Sequence, residues 1–415
     1  MNTAIISVGT ELLFGQITNT NTVYLTRHLN LLGFDVMYHH TVGDNPGRLR
    51  EVLEQTRKEC ELIMTTGGLG PTQDDLTKEI ACEVFHDELV LSDDILNRIK
   101  ELFAKLNREM TENNVKQAYL PSRAEVFIND AGTAPGFALT ENGKTIICLP
   151  GPPREMKTMF DLKAKPYLEK KADGKMYYRM LRTFGIGESM LETKLLDLIE
   201  GQTDPTLATY AKDGECSLRV ASKRKQASDA EKAVNDVIEV VRGRIGEYIF
   251  SYDDEDLHDV VTRKLIEKNI TISCAESCTG GLFAEMLTRT PGISAIFDRG
   301  IVTYSNRAKN DELGVKPETI EKYGAVSEET AAEMARGLFE KTGSRLCISI
   351  SGIAGPDGGT EEKPVGTFCV GLIFDGKLKT ETVRGRNVNR VVNRNYFMLF
   401  MMNMIYKIIL LDNQE

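Results

Sequence analysis

Along the first 165 residues the spacing of apolar positions alternates between two periods. Residues 3–8 form a short β-branched run of strand type, and residues 22–32 place apolar side chains at helical spacing before Gly33 stops them. Residues 34–42 return to a strand pattern, 48–60 to a helical one and 61–65 to a short apolar strand. This βαβα order predicts a mainly parallel sheet covered on both faces. Ligands of such sheets bind beyond the carboxyl ends of the strands. Pro166 and the charged run 169–175 then mark a boundary. A smaller α+β pattern follows: strand 177–184, the turn Gly185-Ile186-Gly187, helix 188–200, strands 207–210 and 217–222 across Asp213-Gly214, and helix 227–245. The acidic run 251–256 reads as a hinge.

The last third begins with helix 257–268 and the strand 270–273. A helical run, 282–289, is closed by Pro291-Gly292, and 298–309 passes from strand to helix. Helix 327–338, with Ser327 as its cap, precedes strand 346–351 and a hairpin of 365–374 and 378–383 turning at Asp375-Gly376. The apolar run 396–411 is interrupted by Asn403 and Lys407, is too short to span a bilayer comfortably, and predicts a buried, Met-rich helix. The expected domains are 1–165, 166–255 and 256–415.

Composition narrows the function classes. At 415 residues the chain exceeds one ordinary core. A net charge of −10 argues against a protein that mainly holds nucleic acid or an anionic membrane, while leaving room for a locally basic pocket. The eight cysteines are scattered, with no Cys-x-x-Cys pair and no His at zinc spacing, so reduced thiols in a cytoplasmic protein are the simplest account. Cys278 follows Ser277, and packing is its simpler role. The N-terminus lacks a basic n-region and reads as a first strand.

Unusual residues gather at the predicted strand ends. Gly9-Thr10-Glu11-Leu12-Leu13, Gly43-Asp44, Gly67-Gly68-Leu69-Gly70-Pro71-Thr72-Gln73-Asp74-Asp75-Leu76-Thr77, Gly132–Gly136 and Leu149–Met156 are loops of this kind. Gly67, Gly68 and Gly70 let backbone N–H groups approach a phosphate closely. Asp74 and Asp75 are either helix-start residues or carboxylates holding Mg²⁺ or a similar hard ion beside a phosphate, with Glu11 and Asp44 completing the site.

A second candidate centre is Ala275-Glu276-Ser277-Cys278-Thr279-Gly280-Gly281, between a strand and a helix. A hydroxyl in such a turn, with outward N–H groups and a helix dipole behind it, suits attack on a carbonyl. Taken alone, a Ser/Thr cap with packing glycines is the commoner reading. Further on, Gly352-Ile353-Ala354-Gly355-Pro356-Asp357-Gly358-Gly359 is another phosphate-style loop, and Arg384, Arg386 and Arg390 open the C-terminal helix.

In this order the motifs resemble those of the CinA family. The first segment is similar to its N-terminal domain, itself related to molybdopterin-binding domains of the MogA and MoeA type. The last resembles the nicotinamide-nucleotide amidohydrolase domain, through Ala-Glu-Ser-x-Thr-Gly-Gly, Tyr-Ser-Asn-x-x-Lys, Ser-Gly-Ile-Ala-Gly-Pro-x-Gly-Gly and Gly-x-Arg-x-x-x-Arg. The implied fold is α/β: an N-terminal parallel-sheet α/β sandwich, a small α+β KH-like middle domain and a C-terminal α/β deamidase domain. The resemblance implies metal-dependent hydrolysis of ADP-ribose at the first site. There Glu11, Asp44, Asp74 and Asp75 are the acidic residues around a divalent ion (Mg, Mn or Co), and Thr72 and Thr77 are hydroxyl ligands of the phosphate loop. The chain carries Asn19 where the family often carries Asp.

At the second site the resemblance implies metal-free hydrolysis of nicotinamide mononucleotide (NMN) to nicotinate mononucleotide and ammonia. No His lies in a motif there, so Lys309 is the expected base for Ser277, with Tyr304 orienting it or relaying its proton. Backbone N–H groups from Cys278 to Gly280 are the expected oxyanion site. Thr279, Gly280, Gly281, Ser351, Gly352, Gly355, Gly358 and Gly359 are the expected substrate contacts, with Arg386 or Arg390 on the phosphate. A homodimer is implied as well. The basic triplet Lys223-Arg224-Lys225 permits an RNA-binding reading of the middle domain, and a solvated charged loop is the favoured one. From a different class, a non-catalytic binder of a molybdopterin-like ligand, or a competence or DNA-damage scaffold, stays open.

Overall fold

Alternating burial along the strands explains how the first sheet is covered on two faces. In the computed structural model, which describes residues 1–172, 174–212, 214–385 and 388–411, Ile6 of strand β1 (Asn2–Val8) joins one apolar cluster and Ile5 the opposite one. The same split separates Ile63 from Leu62 and Met64 in β3 (Leu62–Thr66). A period of two puts successive side chains on opposite faces, so both faces need helices. Helix Thr20–Leu31 supplies Leu25 and Leu29 to one side, and helix Pro46–Glu59 supplies Leu49 and Leu53 to the other.

The chain divides into two units, Met1–Tyr177 with Ala221–Val234, and Tyr178–Val220 with Asn235–Glu415. In the first, the remaining strands are β2 (Asp35–Val42), β4 (Leu89–Leu91), β5 (Tyr119–Pro121), β6 (Glu125–Phe127), β7 (Gly136–Glu141) and β8 (Lys144–Leu149). The main sheet has the order β2-β1-β3-β8-β7-β6, and β4 pairs with β5 apart from it. β2, β1, β3 and β8 run parallel, so the loops that follow them open at one edge. The boundary cue at Pro166 falls inside a continuous helical stretch, in helix Lys165–Glu169 directly after the wider π-type turn Phe160–Ala164, the kind of local irregularity that accompanies a proline inside a helix. Lys223 of the basic triplet is ion-paired to Asp35 at 2.8 Å.

A sheet of order β10-β11-β9-β12, most of whose residues belong to the second unit, is formed by β9 (Lys175–Phe184), β10 (Thr206–Lys212), β11 (Glu215–Arg224) and β12 (Ile249–Ser251). Asp213, half of the expected turn, lies outside the described residues. A further sheet has the order β14-β13-β15-β16-β17, from β13 (Ile272–Glu276), β14 (Phe297–Val302), β15 (Leu346–Gly352), β16 (Thr367–Phe374) and β17 (Lys377–Arg384). β13 is parallel to both of its neighbours and buried throughout. The turn after β13 therefore leaves the sheet from an interior position. The C-terminal helix, Arg390–Leu411, buries Phe397, Met398, Met401, Met402, Met404 and Ile405, as its Met-rich run predicts. Among the described residues no helix is long and apolar enough to cross a membrane.

Candidate active site

β13 ends at Glu276, and helix Leu282–Thr288 starts six residues later. Gly280 (φ 59°) and Gly281 (φ 95°) make the reversal in the left-handed region, which only glycine enters at little cost. Ser277 is the first residue of this turn and is buried. Its N–H donates to the Ile350 carbonyl at 3.1 Å, which fixes it against β15.

Lys309 comes from helix Asn306–Leu313, capped by the Ser305 hydroxyl, which accepts from the Ala308 N–H at 3.0 Å. Only 1 % of Lys309 is exposed, and its Nζ lies 3.0 Å from Ser277 Oγ. The ammonium also donates to the Thr303 carbonyl at 3.0 Å and to the Tyr304 carbonyl at 3.4 Å. All three partners are neutral, so burial prevails and lowers the Lys309 pKa from its ordinary value. A buried lysine with a growing neutral fraction, in contact with a hydroxyl, is equipped to take its proton.

Other expected residues have different surroundings. The Tyr304 phenol is 60 % exposed and accepts from Arg390 Nη2 at 2.8 Å; it is the Tyr304 carbonyl, not the ring, that meets Lys309. Arg390 also donates to the Gly355 carbonyl at 2.7 Å, so it links the Tyr304 segment to the glycine-rich loop. Ser351 is buried and donates to the Ala325 carbonyl at 2.6 Å. Gly352 packs against Phe368 and the Cys278 sulfur, while Gly358 and Gly359 lie exposed in the loop. Arg386 lies outside the described residues. Burial pushes the Cys278 thiol up to about 12, the property of a packing cysteine.

The expected oxyanion groups are only partly free. The Gly280 N–H donates to the Ser277 carbonyl at 3.1 Å, and the Gly281 N–H to Glu276 Oε2 at 3.0 Å. The Cys278 and Thr279 N–H groups make no hydrogen bond among the described residues, and the Thr279 hydroxyl is buried without a partner. Arg394, not singled out from the sequence, donates to the Thr279 carbonyl. Its signal was its position four residues after Arg390 on one helix, which puts both side chains on one face.

In the first unit the loops after the parallel strands also converge. Gly67 (φ 105°) brings its backbone against β1, where an added Cβ would lie 2.1 Å from the Val8 carbonyl oxygen. Its N–H donates to the Leu149 carbonyl at 3.1 Å, so it is not free for a phosphate. Thr77 is fully buried beside Gly68, its hydroxyl unpartnered. Thr72 gathers the adjacent carboxylates: its hydroxyl donates toward Asp74 at 2.5 Å and toward Asp75, and its N–H donates to Asp75 at 2.9 Å. The Thr72 contact, followed by a backbone N–H, holds the exposed Asp74 carboxyl below its usual range. Asp75 packs against Gly70. Asp44 is tied to Thr10, accepting from its N–H at 2.9 Å and its hydroxyl at 2.7 Å, and Glu11 is exposed over Gly9.

Among the described residues these four carboxylates do not form one converging group; the one such cluster of three is Asp256, His258 and Asp259. Mg²⁺ commonly takes one or two carboxylates and fills its shell with waters and substrate phosphates, so the Thr72-linked pair Asp74 and Asp75 fits a divalent ion. Asn19, at the position where Asp was expected, caps helix Thr20–Leu31 by accepting from the Thr22 N–H at 3.1 Å. Lys116, also not foreseen, donates to the Thr72 carbonyl at 3.0 Å and pins this loop.

Comparisons with known proteins match three successive segments of the chain. Residues 4–170 match the family described as a probable molybdopterin binding domain, 178–251 the KH domain of damage-inducible protein CinA, and 254–409 the CinA C-terminal domain. A competence-damage inducible protein of Acetivibrio thermocellus is 48% identical over 394 residues, 95% of each chain. A CinA-like protein of Dictyoglomus thermophilum is 49% identical over 384 residues, 92% of this chain and 93% of its own. Among solved structures, the competence/damage inducible protein CihA of Agrobacterium tumefaciens is 37% identical, covering 36% of this chain and 94% of its own, with a TM-score of 0.35. With three family domains in order and relatives matched over nearly their whole length, this chain belongs to the CinA family.

Proposed function

We propose that the chain is a bifunctional hydrolase of pyridine-nucleotide recycling, whose C-terminal site deamidates NMN to nicotinate mononucleotide and ammonia. The buried contact of 3.0 Å between Lys309 Nζ and Ser277 Oγ carries the assignment. Neutral Lys309 takes the Ser277 proton as Oγ adds to the carboxamide carbon. The oxyanion is received by the free Cys278 and Thr279 N–H groups. Lys309 then gives the proton to the departing nitrogen, and ammonia leaves an ester on Ser277. Water, deprotonated by Lys309, cleaves the ester and restores the serine. Arg390 and Arg394 supply positive charge for the phosphate. The test is ammonia release from NMN. Wild-type turnover that is lost in Ser277→Ala supports the assignment; no turnover, or turnover unchanged in Ser277→Ala, overturns it. Tight ligand binding without turnover would instead favour a non-catalytic binder.

For the N-terminal site we propose ADP-ribose pyrophosphate hydrolysis, on the convergence of Asp74 and Asp75 at Thr72 beside the Gly67–Gly70 loop. Asp74 and Asp75 would hold a divalent ion, which when bound neutralises pyrophosphate oxygens. Thr72 and Lys116 fix the loop that carries them. AMP formation from ADP-ribose should disappear in Asp75→Ala and on chelation. Activity that persists in chelator removes the metal from the proposal.

A further inference from the structure

The expected oxyanion donors are the N–H groups from Cys278 to Gly280; the N–H groups just beyond them, entering helix Leu282–Thr288, have a different partner. Glu276, 1 % exposed, is the last residue of β13, and its side chain runs back under the turn. Oε2 accepts the Gly281 and Phe283 N–H groups, each at 3.0 Å, and Oε1 accepts the Ala284 N–H at 2.9 Å. The Cys274 thiol lies 3.8 Å from Oε1. One carboxylate thus takes up the positive end of the helix and binds the residues on both sides of the turn.

The Glu276 backbone serves the other half of the dyad. Its carbonyl accepts the Thr303 N–H at 2.8 Å, and the Thr303 carbonyl in turn receives Lys309 Nζ. Ser277 is the next residue in the chain. A single residue therefore sets the turn that carries the nucleophile, the two N–H groups left free within it and the strand end that holds the base.

We infer that Glu276 is a positioning residue of the amide-hydrolysing site: its carboxylate, by clamping the Gly281, Phe283 and Ala284 N–H groups, holds Ser277 and the Cys278 and Thr279 N–H groups in register with Lys309. This rests on the deamidase assignment. Gln in its place keeps the shape but presents an NH₂ to one N–H donor, and the turn must shift to relieve the clash. Asp keeps the charge but is one methylene short of the helix end.

The experiment measures ammonia release from NMN by the full chain as wild type, Glu276→Gln and Glu276→Asp, at 15 and 25 °C, with thermal unfolding alongside. The expected result is a kcat at least tenfold lower in both variants, a KM within threefold of wild type, and the same relative loss at both temperatures. A loss that recovers on cooling, in step with the folded fraction, marks a purely structural residue and overturns the inference. So does a wild-type kcat in Glu276→Gln, or a defect confined to KM. If the wild type releases no ammonia, the deamidase assignment fails by itself, and the rate at which a sulfonyl fluoride labels Ser277, read by mass spectrometry, takes its place. Labelling at least tenfold slower in Glu276→Gln at full folded fraction supports the clamp, and labelling at the wild-type rate overturns it.

Discussion

Replacing Lys309 by Met tests the proposed chemistry most directly, because Met keeps the length and apolar bulk of the side chain and removes its ammonium. Three contacts are lost: to Ser277 Oγ at 3.0 Å, to the Thr303 carbonyl at 3.0 Å and to the Tyr304 carbonyl at 3.4 Å. Two carbonyls left without their donor cost about 1–3 kcal/mol each. Against this, a buried ammonium carries a desolvation penalty of several kcal/mol, roughly, which the variant no longer bears. The two effects oppose each other at similar size, so Lys309→Met should remain folded.

Activity should not survive in proportion. A positioned general base contributes about 10²–10⁴-fold to rate, or about 2.7–5.4 kcal/mol of barrier. The loss should fall on kcat for ammonia release from NMN. The pH dependence has a definite sign. Burial lowers the Lys309 pKa below its ordinary 10.5, so between the lowered value and 10.5 the unfolded chain binds more protons than the folded one. Stability contributed by this residue therefore rises with pH through that window, and below it the charged lysine destabilises the fold. Wild-type kcat should rise with pH as Lys309 loses its proton, and Lys309→Met should lose both rises. The assays are ammonia release across pH and urea unfolding at each pH. A folded Lys309→Met enzyme with kcat within threefold of wild type would refute the Ser277–Lys309 mechanism.

Gly67→Ala should destabilise the first unit by about 2–4 kcal/mol, from a strained positive φ and a forced backbone shift, because its Cβ would lie 2.1 Å from the Val8 carbonyl oxygen. Urea unfolding read from that unit checks this, and ammonia release should stay unchanged. Cys278 should resist iodoacetamide in the native protein at pH 8, since burial shields it and holds its pKa near about 12; peptide mapping that finds it alkylated as fast as in urea would contradict its packing role.

The sequence by itself determined the βαβα alternation of the first segment, the two loop clusters and the turn that carries Ser277, while helices such as Asp93–Lys105 and Pro317–Tyr323 went unread. Periodicity fixes which face of a strand or helix must be covered, and the left-handed glycines at 280 and 281 permit few other backbones. The Met-rich helix Arg390–Leu411 was legible for the same reason: an apolar run of that length has to be buried somewhere. What was not legible is who bonds to whom. Spacing suggested outward N–H groups from Cys278 to Gly280, but Gly280 turns back to the Ser277 carbonyl, and Glu276 takes the next donors at Gly281, Phe283 and Ala284. Tyr304 looked like a partner for Lys309, yet Arg390 takes its hydroxyl and its carbonyl takes the ammonium. The four carboxylates near the Gly67 loop read as one set, and Thr10 and Thr72 divide them. Local pattern specifies a backbone and the chemistry it carries; the competition for a limited number of hydrogen-bond partners is settled only when distant segments meet.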